Sequence, residues 1–286
     1  MSVHIITDSA SDIREYGPSR LTVLPLTVAF GDTVYRDGVD LPVERFYEML
    51  IEGNDLPTTG QVNPYAYSQA IEAARAEGAD EILIVTLSGK LSGTNQSANI
   101  AALEAGGEAA GVYVVDSKSV TVGEQILVRA ALGRAEEGWA AADIVRELES
   151  LRERVCLVAL LETLEYLRRG GRVPAATAVL GTLLSIKPVV AVVDGEVVLR
   201  GKARGSKNGR NLLNQEIEQA GGADTTRPVA LAYSGLSDHL LQKYIEDSRA
   251  LWEGKIDRDL LEITCVGATI GTHVGPGAIA LAFFKA

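Results

Sequence analysis

Hydroxyl and carboxylate side chains follow three apolar strand patterns early in the chain, in the segments Val3–Asp12, Ile82–Thr94 and Val112–Ser119. Each segment predicts a strand, a polar loop and then the beginning of a helix. Because the carboxyl ends of parallel strands share one edge of a sheet, we expect the three loops to meet there, where open α/β sheets bind ligands. Ser9–Asp12 resembles a capping box and is expected mainly to cap the first helix.

The loop Ser88–Thr94 is the most informative of the three, because it holds three hydroxyl side chains and two glycines ahead of the helix pattern 95–103. A helix N-terminus presents free N–H groups and partial positive charge, which suits a carboxylate or a phosphate. Candidate ligands of such an anion are Ser92, Gly93 and Thr94. The residue order matches neither a nucleotide-binding P-loop nor the Gly-x-Ser-x-Gly elbow of hydrolases.

Two further groups of residues are candidates for binding. The segment Ile270–Gly277 sets Thr272 and His273 among three glycines and a proline, which predicts tight turns or a close approach to the backbone, and His273 is a candidate to contact a ligand. Positive charge is concentrated at Arg168, Arg169, Arg172, Lys202, Arg204, Lys207 and Arg210. These basic side chains form either a solvated face or a docking patch for a phosphate or a partner.

The composition limits the classes of function. The chain has 286 residues, is 47% hydrophobic and carries a net charge of -11. The hydrophobic content predicts a packed core. The negative charge disfavours nucleic-acid binding but is compatible with transient peripheral contact with a membrane. No histidine spacing resembles a zinc site, so no metal is expected. Strand pattern begins at Val3 without a signal peptide, which favours a cytoplasmic protein, and the apolar stretch Val173–Ile186 predicts a buried helix too short to cross a bilayer.

Alternating strand and helix patterns in the first half predict a three-layer α/β/α domain with a parallel sheet, in which 21–29 forms one strand. After residue 153 the pattern changes. Asp194-Gly195 between two apolar runs predicts a two-residue hairpin, so a second α/β domain with a mixed sheet is expected. We therefore place the domains at 1–153 and 154–286. The loop 54–64 is long enough to carry function.

Seven short motifs occur in order along the whole chain: Ile6–Asp12, Pro57–Gln61, Leu91–Thr94, Val115–Lys118, Leu164–Arg172, Ile186–Pro188 and Gly271–Gly277. Each motif alone is weak, but together they resemble the DegV family of bacterial fatty-acid-binding proteins. The chain departs from the family at Gly60, where the family usually has serine. One hydroxyl is therefore missing from that loop.

The resemblance implies a function. A long-chain fatty acid such as palmitate, stearate or oleate would lie between the two domains, its carboxylate bound by Thr59 and Ser92 with His273 close by. A separate ATP-dependent fatty acid kinase would phosphorylate the carboxyl group, and the acyl phosphate would enter phospholipid synthesis. The chain itself would then be a lipid-binding subunit without catalytic residues or a cofactor. Residues facing the kinase or the transferred phosphate would be Arg172, Lys202 and Arg204.

Two other functions stay open. Ser92 as nucleophile, His273 as base and Asp8 or Asp116 as the orienting carboxylate would make an acyl or lipid hydrolase. The protein would otherwise be a regulatory or structural module that carries no lipid. Turnover of an ester substrate distinguishes the first alternative, and extraction of lipid from purified protein distinguishes the second.

Overall fold

The computed structural model describes residues 2–14, 20–53, 56–173, 186–252 and 261–286. The strands are β1 Val3–Asp8, β2 Leu21–Leu24, β3 Thr27–Phe30, β4 Thr33–Arg36, β5 Thr58–Gly60, β6 Glu81–Thr86, β7 Val112–Asp116, β8 Val155–Leu160, β9 Ile186–Val193, β10 Glu196–Arg204, β11 Val229–Tyr233, β12 Leu261–Cys265 and β13 Ile279–Phe284. The helices are α1 Val43–Glu52, α2 Pro64–Ala76, α3 Thr94–Glu104, α4 Thr121–Glu136, α5 Ala141–Arg152, α6 Glu165–Arg169, α7 Gly205–Gln219, α8 His239–Asp247, α9 Arg249–Trp252 and α10 Ala268–Val274.

Two large sheets form the framework. The first is parallel, in the order β2-β1-β6-β7, with α2 and α3 packed on it as one pair and α4 and α5 as another. The second has the order β10-β9-β8-β13-β11-β12, and its neighbouring strands are antiparallel except for the parallel pair β11–β12. The predicted fold class, a parallel sheet with a second mixed sheet, is therefore confirmed.

Helix α4 joins the two sheets. It contacts β1 and β6 of the parallel sheet and β8, β11 and β13 of the mixed sheet. Eleven of its sixteen residues are buried, so it is covered on nearly every side. One hydrophobic cluster consequently runs from the parallel sheet through α4 to the mixed sheet. The proposed domain boundary at residue 153 falls between α5 and β8 and stays a prediction.

The predicted hairpin is confirmed and contacts the first half of the chain. Asp194 and Gly195 both have positive φ, 49° and 82°, as a type I′ turn requires. The Ser88 hydroxyl donates to the Gly195 carbonyl oxygen at 2.7 Å. This contact ties the β9–β10 turn to the loop that follows β6.

A small third sheet, in the order β4-β3-β5, was not expected from the sequence. The single strand predicted over 21–29 is interrupted at Pro25, which has no N–H to donate, and the Leu26 N–H turns to the Ser9 hydroxyl instead. The predicted loop 54–64 contains β5, which pairs with β3 and places Thr59 opposite Val28.

One local prediction is wrong. Ser9–Ser11 forms a single 3₁₀ turn rather than the beginning of an α-helix, and the side chain of Asp8 accepts the Ala10 N–H. The prediction for Ile270–Gly277 is confirmed at its end, where Gly275 and Gly277 have positive φ, 69° and 80°, in a turn, but the residues around His273 form helix α10. There Gly271 lies so close to Phe46 and the Tyr47 hydroxyl that a Cβ would approach them to 2.6 and 2.8 Å, so glycine serves helix packing.

The apolar segment 173–186 was predicted to be a buried helix. Residues 174–185 lie outside the described residues. No helix within the described ranges is both long enough and apolar enough to cross a bilayer.

Candidate ligand-binding site

A cavity of about 350 Å³ opens at the carboxyl end of the parallel sheet, between the loop after β6 and helix α10. Its wall carries both apolar and polar side chains. The polar side chains are those of Thr59, Gln61, Ser92, Arg172, Thr269 and His273. Residues from β5, from three loops and from α10 thus converge on one space, although they are up to 214 residues apart in sequence.

Thr59 and His273 form the first polar pair of the cavity. Thr59 Oγ1 lies 3.0 Å from His273 Nε2. His273 Nδ1 is buried and has no hydrogen-bond partner among the described residues, and the ring edge packs on the Cα of Gly170. Since a buried N–H without an acceptor is costly, we assign the proton to Nε2, which then donates to Thr59. The Thr59 hydroxyl keeps its own proton for a ligand.

The imidazole of His273 is neutral at physiological pH. Burial, with a smaller contribution from the Arg172 guanidinium, lowers its pKa from 6.5 to about 4. A neutral imidazole fixes the direction of the Thr59 hydroxyl without adding positive charge to the site.

Ser92 and Thr94 form a second hydroxyl pair. Their oxygens lie 2.9 Å apart, and the Thr94 N–H donates to Ser92 Oγ at 3.3 Å. Thr94 Oγ1 also accepts the Val62 N–H at 3.3 Å, and the Thr94 side chain is fully buried. When the Thr94 hydroxyl donates to Ser92, the Ser92 proton is free to point into the cavity.

Gly93 is needed because Gln61 lies directly over it. A Cβ at Gly93 would collide with the Gln61 amide, which donates to Ser97 Oγ at 3.0 Å. Gln61 and Thr269 line the cavity but were not candidates from sequence. Gln61 lies within the Pro57–Gln61 motif, which gave a signal for it, whereas nothing in the pattern marked Thr269.

Gly60 has a specific neighbour that accounts for the missing serine. A Cβ at Gly60 would collide with Thr27 Oγ1, on the facing strand β3. The Thr27 hydroxyl therefore fills the space that a side chain at position 60 would need.

Three hydroxyls predicted or considered for the site face elsewhere. Ser88 is fully buried and donates to Gly195, as described above. Thr272 is buried, donates to the Ala268 carbonyl within α10 at 2.8 Å and does not line the cavity. Thr94 supports Ser92 from behind rather than lining the cavity.

The three basic residues grouped from sequence do not lie together. Arg172 lines the cavity and donates to the Leu91 and Gly170 carbonyl oxygens at 3.2 and 2.6 Å. Lys202 and Arg204 are exposed near the far end of β10, opposite Pro188 and Ile186. At about 3.3 Å per residue, they lie roughly 20 Å along the strand from Val197 at the cavity.

A second cavity continues from the first into the interior. Among its described lining residues all except Thr121 are apolar, and the Thr121 hydroxyl donates to Asp12 at 2.6 Å. The two cavities share the side chains of Val120, Leu167, Val197, Ile270 and Val274. The arrangement is a polar mouth that leads into a narrow apolar channel of about 60 Å³ between α4, α10 and the mixed sheet.

Comparison with known proteins identifies the family. The model of the DegV family, described as uncharacterised proteins, matches residues 2–286. The chain belongs to the DegV family. A DegV domain-containing protein of Deinococcus radiodurans is 35% identical over 288 residues, which cover 99% of this family member and 98% of the relative.

Solved structures resemble this DegV family member over its whole length. A DegV family protein from Thermus thermophilus, described as fatty-acid binding, is 32% identical with a TM-score of 0.85, and all of both chains is covered. The Streptococcus pneumoniae Fatty Acid Kinase (Fak) B3 protein loaded with linoleic acid is 23% identical with a TM-score of 0.87, also over all of both chains. The second likeness establishes the shared fold.

Proposed function

We propose that this protein binds a long-chain fatty acid, with the carboxylate at the Thr59–Ser92 mouth and the acyl chain in the apolar channel. The observation that carries the proposal is the continuity of the two cavities, which share five apolar side chains. A ligand that fits both must be polar at one end and apolar along the rest. Burial of an acyl chain is favourable by about 0.8 kcal/mol per methylene, so most of the affinity comes from the tail.

The mouth supports a carboxylate rather than a neutral head group. Two hydroxyls, Thr59 and Ser92, each receive a hydrogen bond from behind and so have a proton left to donate. The Arg172 guanidinium adds positive charge in the same wall. Hydrogen bonds from hydroxyls to an ionised carboxylate are stronger than those between neutral groups.

The fatty-acid binding described for the Thermus thermophilus relative, at 32% identity over the whole chain, supports the same ligand class. We further infer that the bound carboxylate is presented to a separate ATP-dependent fatty acid kinase. The support is chemical: the tail would lie in the apolar channel, whereas the polar mouth adjoins an open cavity of about 490 Å³ beside Lys90 and Arg172. A partner enzyme can reach only the head group.

The hydrolase alternative has little support in the geometry. Ser92 Oγ is hydrogen-bonded to Thr94, and His273 Nε2 to Thr59, so neither atom is used for a nucleophile–base pair. The low pKa of His273, about 4, makes it a weak base. Asp8 and Asp116 accept backbone N–H groups of Leu87 and Lys118 instead of orienting the imidazole.

The test is extraction of protein purified without denaturation, followed by mass spectrometry of the lipid. We expect a long-chain fatty acid in near-stoichiometric amount. The proposal would be excluded if the purified protein contained no lipid and then failed to bind added palmitate, stearate or oleate. Measured turnover of a p-nitrophenyl ester, abolished by Ser92→Ala, would favour the hydrolase instead.

A further inference from the structure

Helix α10, which carries His273, begins at three consecutive backbone N–H groups that donate to buried carboxylates. The Gly267 N–H donates to Asp12 Oδ1 at 2.7 Å. The Ala268 and Thr269 N–H groups donate to Asp37 Oδ1 and Oδ2 at 3.1 and 3.0 Å. The first N–H groups of a helix have no partner within the helix, so these two carboxylates satisfy what the helix leaves open.

Both carboxylates come from the beginning of the chain, 255 and 231 residues before their partners. They are only 3% and 4% exposed. Each is held by a hydroxyl as well: Thr121 donates to Asp12 at 2.6 Å, and Ser9 donates to Asp37 at 3.2 Å. Asp12 therefore connects the first residues of α4 and α10, the two helices that line the apolar channel.

The same helix reaches the polar mouth within two turns. Ile270 and Val274 line both cavities, and His273 is hydrogen-bonded to Thr59. His273 lies six residues after Gly267, about 9 Å along the helix axis. A helix this short moves as one piece, so a shift of its first residue displaces the imidazole.

We propose that Asp12 and Asp37 are positioning residues of the ligand site, which act through helix α10 by fixing where it begins and so hold His273 against Thr59. The expected effect on ligand affinity rests on the proposed fatty-acid function. The effect on the His273 ring does not depend on any ligand.

Substitution by asparagine should affect the hydrogen bonds of the two carboxylates differently. Asp12 accepts one N–H and one hydroxyl, and a hydroxyl can equally accept from an amide NH₂. Asp12→Asn therefore keeps both hydrogen bonds. Asp37 accepts a backbone N–H on each of its two oxygens. In Asp37→Asn one oxygen is replaced by an NH₂ group, which cannot accept, so one of these two hydrogen bonds is lost. The same substitution is expected to be harmless at one position and damaging at the other.

Gly267 permits an independent perturbation of the same contact. Its φ of -71° suits alanine. A Cβ there would approach Asp12 Oδ1 to 2.8 Å and Asp37 Oδ1 to 3.3 Å, so Gly267→Ala displaces the carboxylates without removing either. Gly133→Ala in helix α4 is the matched control, because nothing lies within 4 Å of the added carbon.

The experiment compares these four variants by palmitate affinity and by ¹⁵N NMR of the histidine rings. The chain has three histidines, so His4 and His239 are internal references for His273. Asp37→Asn and Gly267→Ala should shift the His273 ring signals alone and weaken palmitate binding at least about tenfold. Asp12→Asn and Gly133→Ala should leave both the His273 signals and the affinity within about twofold of wild type.

Two results would overturn the proposal. One is a folded Asp37→Asn or Gly267→Ala variant whose His273 signals and affinity match the wild type. The other is an Asp12→Asn variant as impaired as Asp37→Asn, since the hydrogen-bond pattern predicts opposite outcomes. If wild-type protein binds no palmitate, the proposed function fails, and the His273 signals still decide whether the two carboxylates position the helix.

Discussion

Single side chains decide how the mouth of the channel presents its protons. Thr59 and Ser92 each accept a hydrogen bond from a neighbouring residue, His273 in one case and Thr94 in the other. Each hydroxyl is thereby oriented before a ligand arrives. Orientation in advance reduces the entropy that binding costs, which is why two neutral hydroxyls can serve a carboxylate well.

Removing either hydroxyl should weaken fatty-acid binding. A hydrogen bond to a charged group is worth about 1.5–3 kcal/mol, so we expect Ser92→Ala and Thr59→Val each to reduce palmitate affinity by about ten- to a hundredfold. Equilibrium titration of delipidated protein measures this. Ser68→Ala is the control, because the Ser68 hydroxyl only returns to the Pro64 carbonyl on helix α2. Equal affinities for all three variants would refute the assignment of these donors.

Gly60 and Thr27 should behave as a coupled pair. A serine at position 60 meets Thr27 Oγ1, so Gly60→Ser alone should lower the free energy of unfolding by about 1–3 kcal/mol through overpacking. Adding Thr27→Ala makes room and should restore most of that stability. Chemical denaturation of the two single variants and the double variant gives the coupling energy. Additive effects would show that the two positions do not compete for the same space.

At the level of helices and strands, several buried carboxyl groups lie near the first residues of α4 and α10. Burial raises the pKa of Asp8 and of Asp12 from 3.8 to about 7, with Asp37 adding like charge to both. Arg14 opposes the shift at Asp12. The fully buried Glu124 carboxyl, next to Asp8, also has its pKa raised well above 4.5 by burial.

These shifts predict a pH dependence of stability. Between about pH 4 and 7 the folded protein holds a proton on Asp12 that the unfolded chain has lost, so stability falls as the pH rises through this window. His273 acts in the opposite sense: its stabilising contribution is lost as the pH falls from 6.5 to about 4. Asp12→Asn removes the first contribution and keeps its hydrogen bonds.

The free energy of unfolding of Asp12→Asn should therefore increase relative to wild type as the pH rises from about 4 to 7. Urea denaturation at several pH values measures the difference. Glu52→Gln, on the surface at the end of helix α1, is a control for loss of one negative charge. A difference that is flat with pH would mean that Asp12 is ionised throughout.

For the molecule as a whole, helices α4 and α10 and the mixed sheet enclose the apolar channel, which ends in the polar mouth. The charge is distributed unevenly over the protein. The chain carries a net charge of -11, yet Lys202 and Arg204 are exposed on β10 and form no ion pair within the described part of the chain. Local cations favour the approach of an ATP-bearing or otherwise anionic partner surface.

Charge reversal at these two positions should separate presentation from binding. Lys202→Glu and Arg204→Glu lie roughly 20 Å along β10 from the cavity, so palmitate affinity should stay near wild type. Acyl-phosphate formation by the cognate kinase should fall at least about tenfold. Arg172→Ala is the contrasting variant. Because Arg172 lines the cavity, its loss should reduce both palmitate affinity and acyl-phosphate formation. Unchanged phosphorylation in both reversed variants would move the kinase contact away from β10.

Local patterns in the sequence were sufficient for much of this architecture. The hydrophobic runs and polar loop ends identified the parallel strands, Asp194-Gly195 identified the hairpin, and the ordered motifs identified the family. The hydroxyl-rich loop pointed to Ser92 and the glycine-rich segment to His273, whereas Thr59 was implied only by the resemblance to the family. The folded chain brings all three to one cavity. Such features depend on neighbours close in sequence, where periodicity and turn chemistry are decisive.

Tertiary structure alone decided which polar groups face the cavity and which serve the framework. Ser88 and Ser92 are alike in sequence, but the β9–β10 turn occupies the first and leaves the second exposed to a ligand. Nothing in the sequence around Asp37 marks it, but in the folded chain it accepts N–H groups of helix α10, more than 200 residues later. Arg172 lies apart from Lys202 and Arg204, because its hydrogen bonds to two backbone carbonyl oxygens hold it at the mouth. A buried polar group takes whichever partner folding brings near, and that partner is often distant in the chain.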